Sequence, residues 1–232
     1  MSDTTDEGGP IGEDGPTDAS LRTGAEREVG VGPWPGGRDA WPTDARYDPE
    51  LLERGDRRNV VDRYRYWTLE AVVADLETRR TPLHVAIENL THDLNIGSIV
   101  RTANAYNVAG VHVIGRRRWN RRGAMVTDRY LNVHHHPDAT VFAAWAHRAG
   151  VAVVGIDNVP GSRAIETGGL PARAVLVFGS EGPGLSDELL EACHEIRHIT
   201  QHGSTRSINA GAAAAVAVYA WASEHLPLPG SP

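Results

Sequence analysis

Three short segments carry the residues best suited to chemistry. The first is Asn95-Ile96-Gly97-Ser98-Ile99-Val100-Arg101-Thr102-Ala103-Asn104-Ala105. Asn95 sits where a helix N-cap belongs, Gly97 lets another chain segment approach the first turn, and Arg101 and Asn104 share one helix face. The second, Phe178-Gly179-Ser180-Glu181-Gly182-Pro183-Gly184-Leu185, surrounds a carboxylate with glycines. The third runs from Ile199 through Gln201, His202, Gly203, Ser204, Thr205, Arg206, Ser207, Ile208 and Asn209 to Gly211, at the mouth of a small-residue helix. Ser207 and Asn209 at a helix start can bind a substrate or cap the turn. The glycine loop is neither a Walker A loop nor a dinucleotide fingerprint, because it has no Lys-Ser/Thr pair and no G-x-G-x-x-G.

Two further clusters invite chemistry. Arg116, Arg117, Arg118, Arg121 and Arg122 surround Trp119, a combination suited to phosphate binding and base stacking, or to an ordinary solvated loop. His134-His135-His136 and the trio His194, His198 and His202 suggest a metal, yet neither set comes with the carboxylates or thiolates of a metal site apart from Cys193. No metal is expected.

The elements that must position these residues follow from short apolar runs alternating with helical patterns beyond Pro82. Strands are predicted at Leu83 to Ile87, Val111 to Ile114, Val151 to Ile156, Ala174 to Phe178 and Ile196 to Ile199. Helices are predicted at Ile96 to Tyr106, Val141 to Ala149, Ser186 to Cys193 and Ile208 to Ala222. Such alternation specifies an α/β fold with a mostly parallel sheet flanked by helices, whose ligands bind beyond the carboxyl ends of the strands. All three segments follow predicted strands.

Composition bounds the rest. The chain has 232 residues, 41% hydrophobic, and no apolar run approaching the ~20 residues of a membrane-spanning helix. One cysteine and no signal-like start make a reducing cytoplasm the simplest compartment. The net charge of -7 is unevenly spread: residues 1–50 hold 12 acids against 4 arginines, while the remainder holds 18 acids and 19 arginines. The acidity therefore belongs to the start of the chain and does not argue against a nucleic-acid partner. There is no lysine, which reads as genome composition rather than function.

Residues 1–46, rich in Gly, Pro, Asp, Glu and Thr, are expected to be a disordered acidic tail, with Trp34 and Trp41 either exposed in it or serving as anchors. Residues 47–81 read as a helical extension, including a helical pattern from Val60 to Leu76. That extension carries Arg54, Arg57, Arg58, Arg63 and Arg65, which track phosphates or form a solvated face. The main domain spans 82–226, and 227–232 form a flexible end.

Taken together, in their order and spacing, the three segments resemble the motifs of the SpoU/TrmH branch of the SPOUT superfamily, RNA 2′-O-ribose methyltransferases. The form N-x-G-x-x-x-R-T-A is matched by Asn95, Gly97, Arg101, Thr102 and Ala103, and G-x-E-x-x-G by Gly179, Glu181 and Gly184. I-P-x-x-G-x-x-x-S-L-N is matched by Ile199, Gly203, Ser207 and Asn209, with Thr200 replacing Pro and Ile208 replacing Leu. Asn107 stands where the family's first helix usually ends with Gly; Asn is the next best left-handed cap.

The resemblance covers roughly residues 83–225 and implies a SPOUT fold with a C-terminal deep trefoil knot, a homodimer, and S-adenosyl-L-methionine as cofactor without metal. It places the cofactor on Gly179, Ser180, Glu181, Gly184, Ile199, Gln201, Ser207, Ile208 and Asn209. Arg101, Asn95, Glu181, Ser207 and Asn209 become the catalytic candidates, and RNA falls to the arginine run. Arg101 is then the residue that takes or polarises the 2′-hydroxyl proton. Free arginine loses its proton only above pH 12, which favours a cation stabilising the alkoxide while the proton leaves through an RNA phosphate or water. Two alternatives stay open: a non-catalytic RNA-binding or ribosome-assembly factor with the same fold, and a methyltransferase acting on a base.

Overall fold

The computed structural model describes residues 30–89, 95–180 and 182–227. Most of the expected tail, the final five residues and Glu181 lie outside them. The chain divides after Trp67 into two compact units, and the helix at Leu69–Glu77 lies in the second.

In the first unit, helix α1 (Pro49–Arg54) starts at Asp48, whose side chain accepts the N–H groups of Glu50 and Leu51. Two isolated antiparallel bridges, Val31 with Asp56 and Tyr47 with Trp67, close the unit. Asp56 is fully buried at its centre, where it accepts from Arg58 at 2.7 Å and from the Tyr66 N–H at 3.0 Å. Burial works to raise its pKa, but the Arg58 and Tyr66 hydrogen bonds outweigh burial and hold the carboxyl below the usual range.

Two expectations change here. Residues 30–46 are ordered: the Trp34 backbone N–H donates to Leu52 O at 2.9 Å, and its ring packs edge-on against Tyr47 and Tyr66. Average composition misses this because a few aromatic contacts and one buried ion pair organise the segment. The helix expected from Val60 is broken, with a 3-10 turn at Asp62–Tyr64 and a left-handed Tyr66 (φ 63°) that aims its N–H at Asp56. Arg58 and Arg65 are consumed in this network through bonds to Trp67 O and Arg58 O, leaving Arg54, Arg57 and Arg63 exposed.

The second unit is α2 (Leu69–Glu77), β1 (Thr81–Asn89), α3 (Ile96–Ala105), β2 (Val108–Gly115), β3 (Val133–His136), α4 (Ala139–Ala149), β4 (Ala152–Ile156), β5 (Arg163–Ala164), β6 (Ala174–Phe178), α5 (Asp187–Ala192), β7 (Glu195–His198) and α6 (Ala210–His225). The seven strands form one sheet in the order β3-β2-β1-β6-β4-β7-β5, every neighbouring pair parallel. Helices cover both faces. One core holds Leu83, Ile87, Ile99, Leu176 and Trp221 beneath α3 and α6; the other holds Ala86, Phe142, Val175 and Leu189 beneath α4 and α5. β6 is apolar at every position because it is buried on both sides, as parallel strands usually are. Asn107 takes the left-handed conformation (φ 47°) after α3. No described helix is long and apolar enough to cross a membrane.

The histidine run forms an edge strand, β3, that periodicity did not mark. In the ladder His112 of β2 is level with His134 of β3 and Ala86 of β1, and its ring reaches diagonally to His136 on one side and His84 on the other. His84 Nδ1 lies 3.1 Å from His112 Nε2, and His112 Nδ1 lies 2.9 Å from His136 Nε2, under Trp145 of α4. The ring nitrogens satisfy one another, and among the described residues no group of three or more His, Cys, Asp or Glu is arranged for a metal.

Desolvation, followed by the neighbouring histidines, pushes His84 down to about 4 and His112 further. The unfolded chain therefore takes up protons below about pH 6.5 that the folded chain refuses, and stability falls with pH across that window. Melting temperature should drop between pH 7 and 4.5, and His112→Phe should make that slope shallower; parallel slopes would show that this chain of rings does not carry the effect.

Candidate active site

The carboxyl ends of β4, β6 and β7 open into a cleft of about 470 Å³. Its walls come from the loop after β6, the segment between β7 and α6, and the first turn of α6. Gly179, Ser180, Gly184, Ile199, Gln201, Ser207, Ile208 and Asn209 all line it. Ile156, Asp157, Asn158 and His198 also line it, and no motif marked them.

The glycine loop is folded tightly on itself. Ser180 pairs with Gly184, and a side chain at Gly179 would fall inside the backbone of Gly184 and Leu185. Gly184 has φ 77°, and a Cβ there would meet the carboxylate of Asp157. Asp157 in turn accepts the Leu185 N–H at 2.8 Å. These glycines are needed for backbone-on-backbone packing as well as for turning the chain. The Ser180 hydroxyl is buried without a hydrogen-bond partner among the described residues.

The segment before α6 is pinned through the Arg206 carbonyl, which accepts from Asn158 Nδ2 and Gln201 Nε2, each at 3.3 Å. His198 is held by Ser162 Oγ at 2.9 Å from its Nδ1. α6 starts at Ala210, two residues later than expected, because Asn209 rather than Ser207 is the cap: its Oδ1 accepts the Ala212 N–H at 3.2 Å. Asn209 Nδ2 donates to Asn95 Oδ1 at 2.8 Å. Asn95 occupies the cap position of α3, yet its side chain makes no cap bond and reaches Asn209 instead. This link joins the first segment to the third. Gly211 supports it from beside, since a Cβ there would sit 3.1 Å from Ser98 Cβ.

Arg101 lies on the exposed side of α3, outside the lining of the cleft, and makes no hydrogen bond or ion pair among the described residues. Gly97 does admit a close neighbour: a Cβ there would lie 2.6 Å from Gly123 Cα, where the arginine loop crosses α3. Arg116, Arg117, Arg118, Arg121 and Arg122 are exposed. Trp119 is half-buried against the core with the Arg121 guanidinium 5.6 Å from its ring, so its ring is committed in part to holding the loop. Arg121 also pairs with Asp128 at 3.4 Å.

The model of the SpoU rRNA methylase family matches residues 82–219, more than half of the chain. An uncharacterized tRNA/rRNA methyltransferase of Mycobacterium ulcerans is 35% identical over 141 residues, covering 58% of this chain and 44% of that protein. The chain spans about half the length of the curated relatives it matches. Among solved structures, the TrmH/SpoU tRNA modifying enzyme of A. aeolicus superposes with a TM-score of 0.60 at 21% identity, covering 67% of this chain and 81% of that one. AviRb of Streptomyces viridochromogenes, in complex with AdoMet, gives a TM-score of 0.55 at 26% identity over 65% of this chain and 60% of that one.

Proposed function

The chain belongs to the SpoU rRNA methylase family, and on that premise we propose that it transfers the methyl group of S-adenosylmethionine to a ribose 2′-hydroxyl of tRNA or rRNA. The observation that carries this reading is the junction of the three segments: the loops after β6 and β7 line one cleft, and the Asn209 to Asn95 hydrogen bond ties it to the helix bearing Arg101. The residues present fit the cofactor. The folded-back glycine loop brings backbone rather than side chains to the cleft wall, and Ser180, Gln201 and Asn209 supply polar groups among apolar Phe178, Ile199 and Ile208. The AdoMet held by the similar AviRb supports the assignment. When bound, S-adenosylmethionine supplies an electrophilic methyl group.

A ribose hydroxyl is a poor nucleophile at neutral pH. Arg101 stands as an exposed cation free to meet the oxygen and stabilise the charge that develops on it, and the proton leaves through an RNA phosphate or water. Asn95 and Asn209 fix the helix starts, and Ser207 faces the cleft beside them. The exposed arginines of residues 116–122 bind phosphates and turn the RNA toward α3. The same reading includes the trefoil threading and a homodimer. The outer face of α6, with Val216 42% and Tyr219 65% exposed, supports the homodimer.

Incubation with methyl-labelled S-adenosylmethionine and an RNA pool tests this. A ribose 2′-O-methyl group blocks alkaline cleavage, so the label should appear in alkali-resistant dinucleotides. Label in mononucleotides would mean a base is the target, and RNA binding without label would leave a non-catalytic factor.

A further inference from the structure

The carboxyl end of β1 carries two buried polar residues in succession, neither of them in the three motifs. Glu88 is 3% exposed and Asn89 is fully buried. Successive side chains of a strand leave opposite faces, so the two reach different loops. Glu88 Oε2 accepts the Ser186 N–H at 2.9 Å, where the glycine loop that walls the cleft runs into α5. Asn89 Nδ2 donates to Arg116 O at 2.6 Å and to Arg118 O at 3.0 Å, and the Asn89 carbonyl accepts the Arg116 N–H at 2.9 Å.

Both contacts have features that a filler residue would lack. Among the described residues Asn89 Oδ1 is buried with no hydrogen-bond partner, a state proteins seldom keep, whereas its nitrogen donates twice. The Glu88 bond has a counterpart across β6, since β1 and β4 flank that strand. Asp157, following β4, accepts the Leu185 N–H. Consecutive amides of the glycine loop are therefore gripped from both neighbouring strands.

The geometry points to Glu88 and Asn89 as paired positioning residues, Glu88 for the cofactor loop and Asn89 for the arginine loop. The two loops are thereby referenced to a single strand end. What the loops bind rests on the methyl-transfer reading above. The chemical requirements differ at the two sites. Position 88 needs only an acceptor, so glutamine should serve. Position 89 needs a donor aimed at two carbonyls, so aspartate, nearly the same shape, should fail because it presents oxygen to oxygen.

The test compares Glu88→Leu, Glu88→Gln and Asn89→Asp in the full chain. Amide exchange at Ser186 reads the first anchor, and tryptic cleavage within residues 116–122 reads the second. Calorimetry with S-adenosylmethionine, filter binding of an unfractionated tRNA and rRNA pool, and thermal melts accompany both. Glu88→Leu should speed Ser186 exchange and raise the S-adenosylmethionine Kd at least about tenfold, about 1.4 kcal/mol, with RNA affinity within about twofold; Glu88→Gln should restore both. Asn89→Asp should speed tryptic cleavage and weaken RNA binding about tenfold while sparing the cofactor.

If Glu88→Leu does not fold, Ser186→Pro removes the same bond from the donor side, at a φ of -66° that proline accepts, and is read by the S-adenosylmethionine Kd because proline has no amide to exchange; Ser186→Ala, which keeps the amide and loses only the hydroxyl's cap bond to the Leu189 N–H, is its control. The proposal is overturned if both variants weaken both ligands alike, or if either leaves its own loop and ligand unchanged. Wild-type protein that binds no S-adenosylmethionine would sink the methyl-transfer reading alone; exchange and cleavage would still decide the anchors.

Discussion

Gly179→Val should abolish S-adenosylmethionine binding, lowering affinity by more than about 100-fold, or about 2.7 kcal/mol. The reason is geometric. A Cβ at residue 179 falls inside the backbone of Gly184 and Leu185, and neither can withdraw: Leu185 is tied to Asp157 and Ser186 to Glu88. The loop must leave its place, and the cleft wall goes with it. The rest of the sheet does not depend on that wall, so the melting transition should persist. Calorimetry beside a circular dichroism melt checks both halves; a variant that binds the cofactor like wild type would show that the packed glycines do not shape the cofactor site.

Arg101→Ala should lower single-turnover methyl transfer by about 10²–10³-fold with RNA saturating, the usual loss when one preorganised donor to a developing oxyanion is removed. Cofactor affinity should stay close to wild type, because Arg101 does not line the cleft. The guanidinium is exposed and makes no bond among the described residues, so its removal leaves no buried partner stranded and the fold should tolerate it. Arg101→Lys separates charge from shape: substantial rescue would mean the charge suffices, and no rescue would mean the planar fork positions the oxygen. Unchanged transfer by Arg101→Ala at saturating RNA would remove Arg101 from the chemistry. Arg117→Ala with Arg118→Ala should do the opposite, weakening RNA binding and flattening its salt dependence while leaving the saturated rate near wild type.

How far the sequence spoke depended on whether a residue's purpose is local. β6 was legible as Ala174 to Phe178 because a strand buried on both faces must be apolar throughout. The glycine loop was legible because its glycines serve a turn and a close approach only a few residues away. β3 was not, since its residues are mostly exposed and its one buried position, His136, is polar and is accommodated only because His112 of β2 supplies a hydrogen-bond partner. Residues 30–46 were misread for a related reason: Trp34 is organised by Leu52, Tyr47 and Tyr66, which no short window contains. Within the candidate site the gaps were Asp157, Asn158 and His198, along with the Asn209 to Asn95 bond. A lone carboxylate at a strand end looks like any solvated residue until the loop it holds is seen beside it. Asn209 illustrates the converse, because its cap role became clear only once α6 was seen to begin at Ala210.

The sheet order has a consequence for synthesis. β1 is an interior strand, yet its neighbour β6 begins at Ala174, long after β1 ends at Asn89. At translation rates of about 5–20 residues per second, β1 waits roughly 4–17 s with one edge unpaired. β2 and β3 can add to the other edge meanwhile, so the growing chain presents a half-sheet with an apolar open side. Such an edge is a template for pairing with other chains. Yield in a heterologous host should therefore respond more to slow growth and chaperone supply than to changes in surface charge, and truncations ending between β3 and β6 should aggregate where the full chain does not.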